Sequence, residues 1–411
     1  MKKSYFRWGP LSPRQRKVLC WWHPDSAYAG YNGIIADGAI RSGKTVSMAF
    51  SFVVWAMSNF DRMNFAMCGK TIASLRRNVL GTLKNQLRAR GYTATERRAD
   101  NLLVVTKGDK ANSFYIFGGK DESSQDLIQG ITLAGVLFDE VALMPESFVN
   151  QATARCSVAG SKLWFNCNPG SITHWFYTGW VLKCRKRKLL YLRFTMDDNL
   201  TLTEETKARY RSMYSGLFYK RYILGLWVIA EGLVYEFLDS YITDEQPRGA
   251  EYYISVDYGT LNPFSAGLWS VTGSKAVRVA EYYYDGRNKK AQKTDEEYCD
   301  EIEKLANGQQ IAKVIVDPSA ASFITALKRR GFRVQQADNA VLDGIRRTAV
   351  YLKSGNIRIH RSCTDAIREF GQYRWDEKKG TDTVIKENDH AMDEIRYFCS
   401  TVMRKKVKDG F

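Results

Sequence analysis

Apolar positions along the 411-residue chain fall into short runs that predict strands alternating with helices. Leu11 to Leu19 predicts a helix opened by a Ser12-Pro13 cap. Ile34-Ile35 marks a short apolar strand, and Val46 to Met57, free of glycine and proline, predicts the helix after it. Phe65 to Cys68 predicts a second strand. Ala73 to Arg90 predicts a basic helix carrying Arg76, Arg77, Lys84, Arg88 and Arg90. Leu102 to Thr106 and Ser113 to Phe117 flank a Lys107-Gly108-Asp109 turn as two more strands. Two further apolar strands follow: Leu133 to Phe138, ending in Asp139-Glu140, and Leu163 to Phe165, ending in Asn166-Cys167-Asn168-Pro169. Alternation of this kind predicts a mostly parallel sheet.

The pattern changes past Gln246-Pro247-Arg248-Gly249, which reads as the end of a linker. Tyr252 to Val256 predicts a strand ending in Asp257-Tyr258-Gly259. Ala266 to Val271 and Val277 to Tyr284 predict antiparallel neighbours, and Lys313 to Val316 is a buried strand tipped by Asp317. Asp389 to Tyr397 predicts a late helix on which His390 and Asp393, three apart, share a face. A chain of this length exceeds one ordinary core, so two domains are expected.

Composition narrows the class. Hydrophobic residues at 45% and aromatic ones at 13% suit a folded globular protein and exclude a disordered one. No apolar run has the length of a membrane span, so no membrane partner is expected, and Met1 to Tyr5 lacks the apolar core of a signal peptide. The eight cysteines are scattered without a C-x-x-C pair, against structural zinc or a disulfide framework and in keeping with a reducing cytoplasm. The formal net charge of +17 points to a polyanionic partner. The densest basic run is Lys183-Cys184-Arg185-Lys186-Arg187-Lys188, a solvated turn or a phosphate contact. Nucleic acid held through its backbone is the favoured partner.

Gly38-Ala39-Ile40-Arg41-Ser42-Gly43-Lys44-Thr45 meets every fixed position of the phosphate-binding loop. The glycines let backbone N–H groups curl around a polyphosphate, and Lys44 reaches its outer phosphates. Thr45 offers a hydroxyl to Mg²⁺ as the helix begins. With the loop in place, Asp139 at a strand tip reads as the Mg²⁺ carboxylate and Glu140 as the group that polarises the attacking water. Asn168 lies where a γ-phosphate sensor would sit. The expected cofactor is therefore ATP with Mg²⁺.

Asp257, Asp317 and Asp393 form a second set: two strand tips and a late helix. Two-metal phosphodiester cleavage needs carboxylates in such an arrangement, here for two Mg²⁺ or Mn²⁺ ions. The strand–strand–strand–helix order with acids at these places is the ribonuclease H pattern.

With both sets quoted, the chain resembles the large terminase subunit of tailed double-stranded DNA phages, over nearly its whole length. The resemblance implies that Gln15 contacts adenine, Arg41 is the arginine embedded in the phosphate loop, Glu140 is the hydrolytic glutamate, and Asn168 couples hydrolysis to motion. It implies Asp257, Asp317 and Asp393 as nuclease metal ligands with His390 nearby. Some relatives supply an arginine finger shortly before the Asp-Glu strand, but Lys120 to Gly135 holds no arginine. That role is left to Arg41 in cis or to a residue the sequence does not place.

The expected fold is α/β: a P-loop ATPase with a mostly parallel sheet over residues 1–235, a linker at 236–249, and a ribonuclease-H-like nuclease over 250–411. The resemblance implies ATP-driven translocation of double-stranded DNA into a prohead, with cutting of concatemers. Its partners would be the portal protein and a small terminase subunit, the working form a homo-oligomeric ring, and the location the host cytoplasm and transiently the portal vertex. A helicase-nuclease of DNA repair is the alternative, but no strand-separation motifs follow the first half. A non-enzymatic assembly protein would have lost Lys44, Asp139 or Glu140, and all three are present.

Overall fold

The computed structural model describes residues 9–247, 251–379 and 381–407. Arg248 and Gly249 of the expected linker and the Met1–Tyr5 stretch lie outside them. The chain divides into two compact units, Met1–Ser212 with Leu217–Ile229, and Met213–Gly216 with Ala230–Phe411.

The first unit holds an eight-stranded sheet of β1 (Gly33–Gly38), β2 (Asn64–Gly69), β3 (Thr93–Arg97), β4 (Leu102–Lys107), β5 (Lys110–Gly118), β6 (Gly135–Asp139), β7 (Lys162–Asn166) and β8 (Leu189–Phe194). Their order is β3-β4-β5-β2-β6-β7-β1-β8. From β5 to β8 all neighbours run parallel, while β3, β4 and β5 form an antiparallel edge. Every residue of β1 and β6 is buried, as unbroken apolar runs in a parallel sheet require. Helix Lys44–Asn59 covers one face by placing Met48, Phe52 and Trp55 against Phe65, Phe114 and Trp164. Trp55 and Trp164 lie 4.7 Å apart by ring centroids, and Phe52 and Trp164 lie 5.1 Å apart. Full burial of each such side chain contributes roughly 1.5–3 kcal/mol.

The predicted basic helix is a continuous helical stretch from Ile72 to Ala89, loosened to a π-turn over Arg76–Leu80. Two of its cations are engaged: Arg76 Nε and Lys84 Nζ bind the two oxygens of Glu96 at 2.8 and 2.7 Å.

The second unit holds seven strands: β9 (Ile242–Thr243), β10 (Glu251–Asp257), β11 (Phe264–Thr272), β12 (Lys275–Tyr284), β13 (Ile311–Val316), β14 (Val334–Gln336) and β15 (Ile357–His360). The order is β14-β13-β10-β11-β12-β15-β9. β10, β11 and β12 are antiparallel, and the strands outside them pair parallel. Val256 of β10 pairs with Val316 of β13, so Asp257 and Asp317 emerge side by side.

Much of the stretch read as a linker is built into this unit. Asp239–Tyr241 makes a 3-10 turn, Ile242 pairs with Ile359, and Phe237 stacks on Phe370 at 4.1 Å. The Gln246-Pro247 signal marks a break in strand pairing, and apolar residues ahead of it had a sheet edge to join.

Helix His390–Phe398 packs across β10 and β11, with Phe398 stacked on Trp269 at 3.9 Å. It is pinned by charge. Glu394 and Arg278 have no exposed side-chain surface, and their Oε2 and Nη2 atoms lie 2.8 Å apart. Arg278 Nη1 binds Glu281 at 2.6 Å, while Ser255 and Trp269 serve the other Glu394 oxygen. Gly267 is required here, because a Cβ would strike both Arg278 and Glu394.

Glu394→Ala would leave the buried Arg278 guanidinium with Glu281 as its one carboxylate and its Nε and Nη2 without their carboxylate partner, a change that costs on the order of 3 kcal/mol. Amide hydrogen exchange across β10 to β12 should accelerate by at least about a hundredfold. Unchanged protection in those strands would refute the anchoring role.

Candidate active sites

The loop between β1 and helix Lys44–Asn59 has the shape its sequence demands. Gly38 and Gly43 take φ of 126° and 82°, and a Cβ on Gly38 would run into Phe194 backbone. The loop is held from behind: Ala39 N donates to Phe194 O and Ile40 N to Tyr222 O, both at 2.9 Å. Lys44 folds back over its own loop, with Nζ 2.6 Å from Ala39 O, 3.1 Å from Gly38 O, and 3.2 Å from both Ser42 Oγ and Asn168 Oδ1. Burial pushes this ammonium down to about 8, against the pull of the negative groups around it.

Asp139, Thr45 and Asn166 meet at the adjoining strand ends. Asp139 Oδ1 accepts from Thr45 Oγ1 at 3.2 Å and from Asn166 Nδ2 at 2.5 Å. β6 and β7 make this meeting unavoidable, since Asp139 and Asn166 are register partners. Burial, then the neighbouring Glu140, pushes the Asp139 carboxyl up to about 7. Glu140 sits in the left-handed region at φ 61°, which a non-glycine residue adopts only under constraint.

The remaining predicted nucleotide residues surround this loop. Gln15 is buried, its Oε1 fixed by Ser12 N at 3.0 Å, and its Nε2 lies against Gly43. Arg41 also takes a positive φ and lays its guanidinium over Tyr210, 5.4 Å from the ring centroid. Two residues had not been singled out. Asp37, buried just before the loop, accepts from Tyr191 OH at 2.9 Å and Trp227 Nε1 at 2.6 Å. The other is Asn166: it donates to Thr45 and Asp139, whereas Asn168 accepts from Lys44. Asp37 Oδ1 and Asn166 Oδ1 are buried without a hydrogen-bond partner. The Asn166 amide turns its Nδ2 to both Thr45 and Asp139, and the hydroxyl and carboxylate oxygens of those two residues are ligands that suit a hard cation such as Mg²⁺.

In the second unit, Tyr397 links the two strand-tip acids, its hydroxyl 3.1 Å from Asp317 Oδ2 and 3.4 Å from Asp257 Oδ1. His390 Nδ1 lies 2.9 Å from Asp257 Oδ2. Burial pushes Asp257 up, with Asp393 and Asp389 acting in the same sense. Burial opposes ionisation of Asp317 too, but hydrogen bonds from Ser319 hold it below the ordinary value. Asp393 is bound on Oδ2 by Lys386 Nζ at 2.9 Å and on Oδ1 by Arg396 Nη2 at 3.0 Å. Asp389, missed in the sequence, lies 3.1 Å from the same Lys386 Nζ. A cleft of about 680 Å³ is lined by Asp257, Asp389, His390, Asp393, Arg287 and Lys386.

The carboxylate chemistry suits Mg²⁺ or Mn²⁺. Yet among the described residues no three His, Cys, Asp or Glu side chains converge as ready ligands. Asp257, Asp393 and His390 of the expected set line the cleft, while Asp317 is absent from its lining and is tied to Asp257 through Tyr397.

Residues 35–241 match the family described as terminase large subunit, T4likevirus-type, N-terminal. The large terminase of a thermophilic bacteriophage is 52% identical over 96% of this chain and 100% of its own, with a TM-score of 0.92. The chain belongs to the large terminase family. Structures of that thermophilic phage's terminase with ADP and with ATP-gamma-S superpose with TM-scores of 0.89 and 0.88, at 52% and 51% identity over 96% of this chain and 100% of that one. The large terminase subunit of Escherichia phage T5 is 23% identical over 194 residues, a match spanning 43% of this chain and 44% of that protein. Membership sets aside the repair helicase-nuclease. The α/β fold with mixed sheets is as the sequence led us to expect.

The buried Asp139 of this terminase has a consequence for stability. Its folded carboxyl titrates near 7 against 3.8 for the unfolded group, so the folded state holds the proton longer. The unfavourable contribution is small near pH 4, grows as pH rises, and is complete above about pH 7. Asp139→Asn keeps the acceptor for Asn166 and should stabilise the nucleotide-free protein at pH 8 by on the order of a few kcal/mol, and little at pH 4.5. Equal shifts in thermal midpoint at both pH values would contradict this.

Proposed function

We propose that this terminase drives double-stranded viral DNA into a prohead by ATP hydrolysis in its first unit and cuts concatemeric DNA with a metal-dependent endonuclease in its second. The observation that carries the reading is the convergence of Lys44, Thr45, Asp139 and Asn166 at adjoining ends of β1, β6 and β7. Carboxyl ends of parallel strands are where α/β proteins bind phosphate ligands.

In the first unit Lys44 exchanges loop carbonyls for phosphate oxygens, while Gly38 to Thr45 supply the backbone cradle. Thr45 and Asp139 would hold Mg²⁺, which supplies charge neutralisation at the phosphates. Glu140 orients and polarises water. Asn168, hydrogen-bonded to Lys44, reports the state of the γ-phosphate, Gln15 contacts the base, and Arg41 adds positive charge in cis. In the second unit Asp257, Asp317 and Asp393 would hold two Mg²⁺ or Mn²⁺ ions, which supply water activation and leaving-group stabilisation. Tyr397 sets the spacing of the strand-tip acids, and His390 orients Asp257.

The net charge of +17 suits a DNA partner gripped without sequence preference. Translocation implies a homo-oligomeric ring on the portal protein, with a small terminase subunit selecting the DNA, in the host cytoplasm and transiently at the portal vertex. Among the described residues no helix is long and apolar enough to cross a membrane.

Packaging by purified proheads, read as nuclease-protected DNA, tests the whole reading; absence of ATP-dependent protection with all partners present would overturn it. Lys44→Ala should lower ATP hydrolysis to background while metal-dependent cutting by the same protein persists. Near-wild-type hydrolysis would remove Lys44 from the site. Folded Asp257→Ala and Asp393→Ala proteins should cut at least about a hundredfold more slowly and still hydrolyse ATP. His390→Ala should lose less than Asp393→Ala. Wild-type cutting by either aspartate variant would end the carboxylate model.

A further inference from the structure

Each oxygen of Asp393 is taken, but the two holders differ. Arg396 is fixed: its side chain is 2% exposed, and it also donates to Asn339 O at 2.8 Å. Its aliphatic stem fills the space over Gly344. Lys386 is not fixed in this way. Its side chain is 61% exposed, and it follows Ile385, the last residue of its segment tied to Arg374 O. From there the chain turns through Asn388, at φ 52°, into the helix that begins at His390. The Lys386 ammonium lies 2.9 Å from Asp393 and 3.1 Å from Asp389, so it separates two carboxylates that would otherwise repel across a buried edge. Both acids are nearly buried, with 10% and 6% of their side chains exposed. The cation between them is the one group that reaches solvent.

We propose that Lys386 is the resident counter-ion of the Asp389–Asp393 pair, occupying the carboxylate oxygen a divalent ion would take, so that metal loading and lysine release are a single exchange. This rests on the nuclease reading of the second unit. Arg396 keeps Asp393 aimed throughout, and only the Lys386 contact has to break. The arrangement accounts for acids that line one cleft without forming a ready ligand set. It also makes the cleft discriminate by charge: a divalent ion replaces a monovalent ammonium at two carboxylates, whereas a monovalent ion gains nothing over it.

Mn²⁺ titration of the nucleotide-free full chain by calorimetry tests the exchange. Lys386→Gln removes the competitor and should tighten the Asp393-dependent Mn²⁺ site by roughly three- to tenfold. Lys386→Arg keeps the competitor and should bind Mn²⁺ no more tightly than wild type. In an Asp393→Asn background Lys386→Gln should change nothing. Thermal midpoints identify any variant that fails to fold; if Lys386→Gln is one, Lys386→Met, which removes the ammonium and keeps the aliphatic stem, takes its place and should tighten the site likewise. Asp393-dependent binding that is unchanged or weaker in Lys386→Gln overturns the exchange and leaves the nuclease reading standing. Absence of any Asp393-dependent Mn²⁺ uptake overturns both.

Discussion

Lys44 and Arg278 are cations withdrawn almost entirely from water, and each must be matched by oxygen where it lies. The matches differ in kind. Arg278 is met by two carboxylates, Glu281 and Glu394, and the three charges lock helix His390–Phe398 to the sheet. Lys44 is met by neutral carbonyls, a hydroxyl and an amide, so burial wins and its proton is held loosely. A cation matched by formal charges is a fixture. One matched by dipoles is ready for a better partner, and a polyphosphate is that partner. What is structural and what is functional in the two units thus follows from how completely each buried charge is answered.

The same rule divides neighbouring residues on one helix. Asp393 and Glu394 are consecutive and, about 100° apart around the axis, look in different directions. Glu394 faces the sheet and is consumed by the anchor. Asp393 faces the cleft with His390 and Tyr397, three before and four after it. Anchoring by Glu394 is what gives the other three a fixed aim, so a buried pair that touches no substrate sets the geometry of groups that would.

Local spacing made much of this readable in advance. The phosphate loop, the Asp139-Glu140 strand tip and the three acids were visible because each depends on residues close in sequence or on a strand's end. Asn166 and Asp37 were not, because their roles come from strand register and from Tyr191 and Trp227, far along the chain. Lys386 and Asp389 were invisible for a similar reason: a loop lysine gains meaning only when two carboxylates close around it. The linker was overread because glycine and proline signal the end of pairing, whichever unit the pairing belongs to. The basic helix was legible, but the pairing of its Arg76 and Lys84 with Glu96 was not, because Glu96 comes from a following strand.

Both units use one topological device. Parallel neighbours bring carboxyl ends of strands to the same edge, so acids at their tips become adjacent without any side-chain contact to enforce it. In the first unit this joins Asp139 and Asn166 beside the loop after β1. In the second it joins Asp257 and Asp317, but β11 on the other side of β10 is antiparallel and offers its opposite end there. The next group in that cleft therefore cannot come from a strand tip on that side. A helix crossing the sheet has to bring it, and that helix is fixed by apolar packing together with one directional contact that sets its rotation. That is the place the Arg278–Glu394 pair fills, and it explains why a buried charge is retained next to a cleft already crowded with acids.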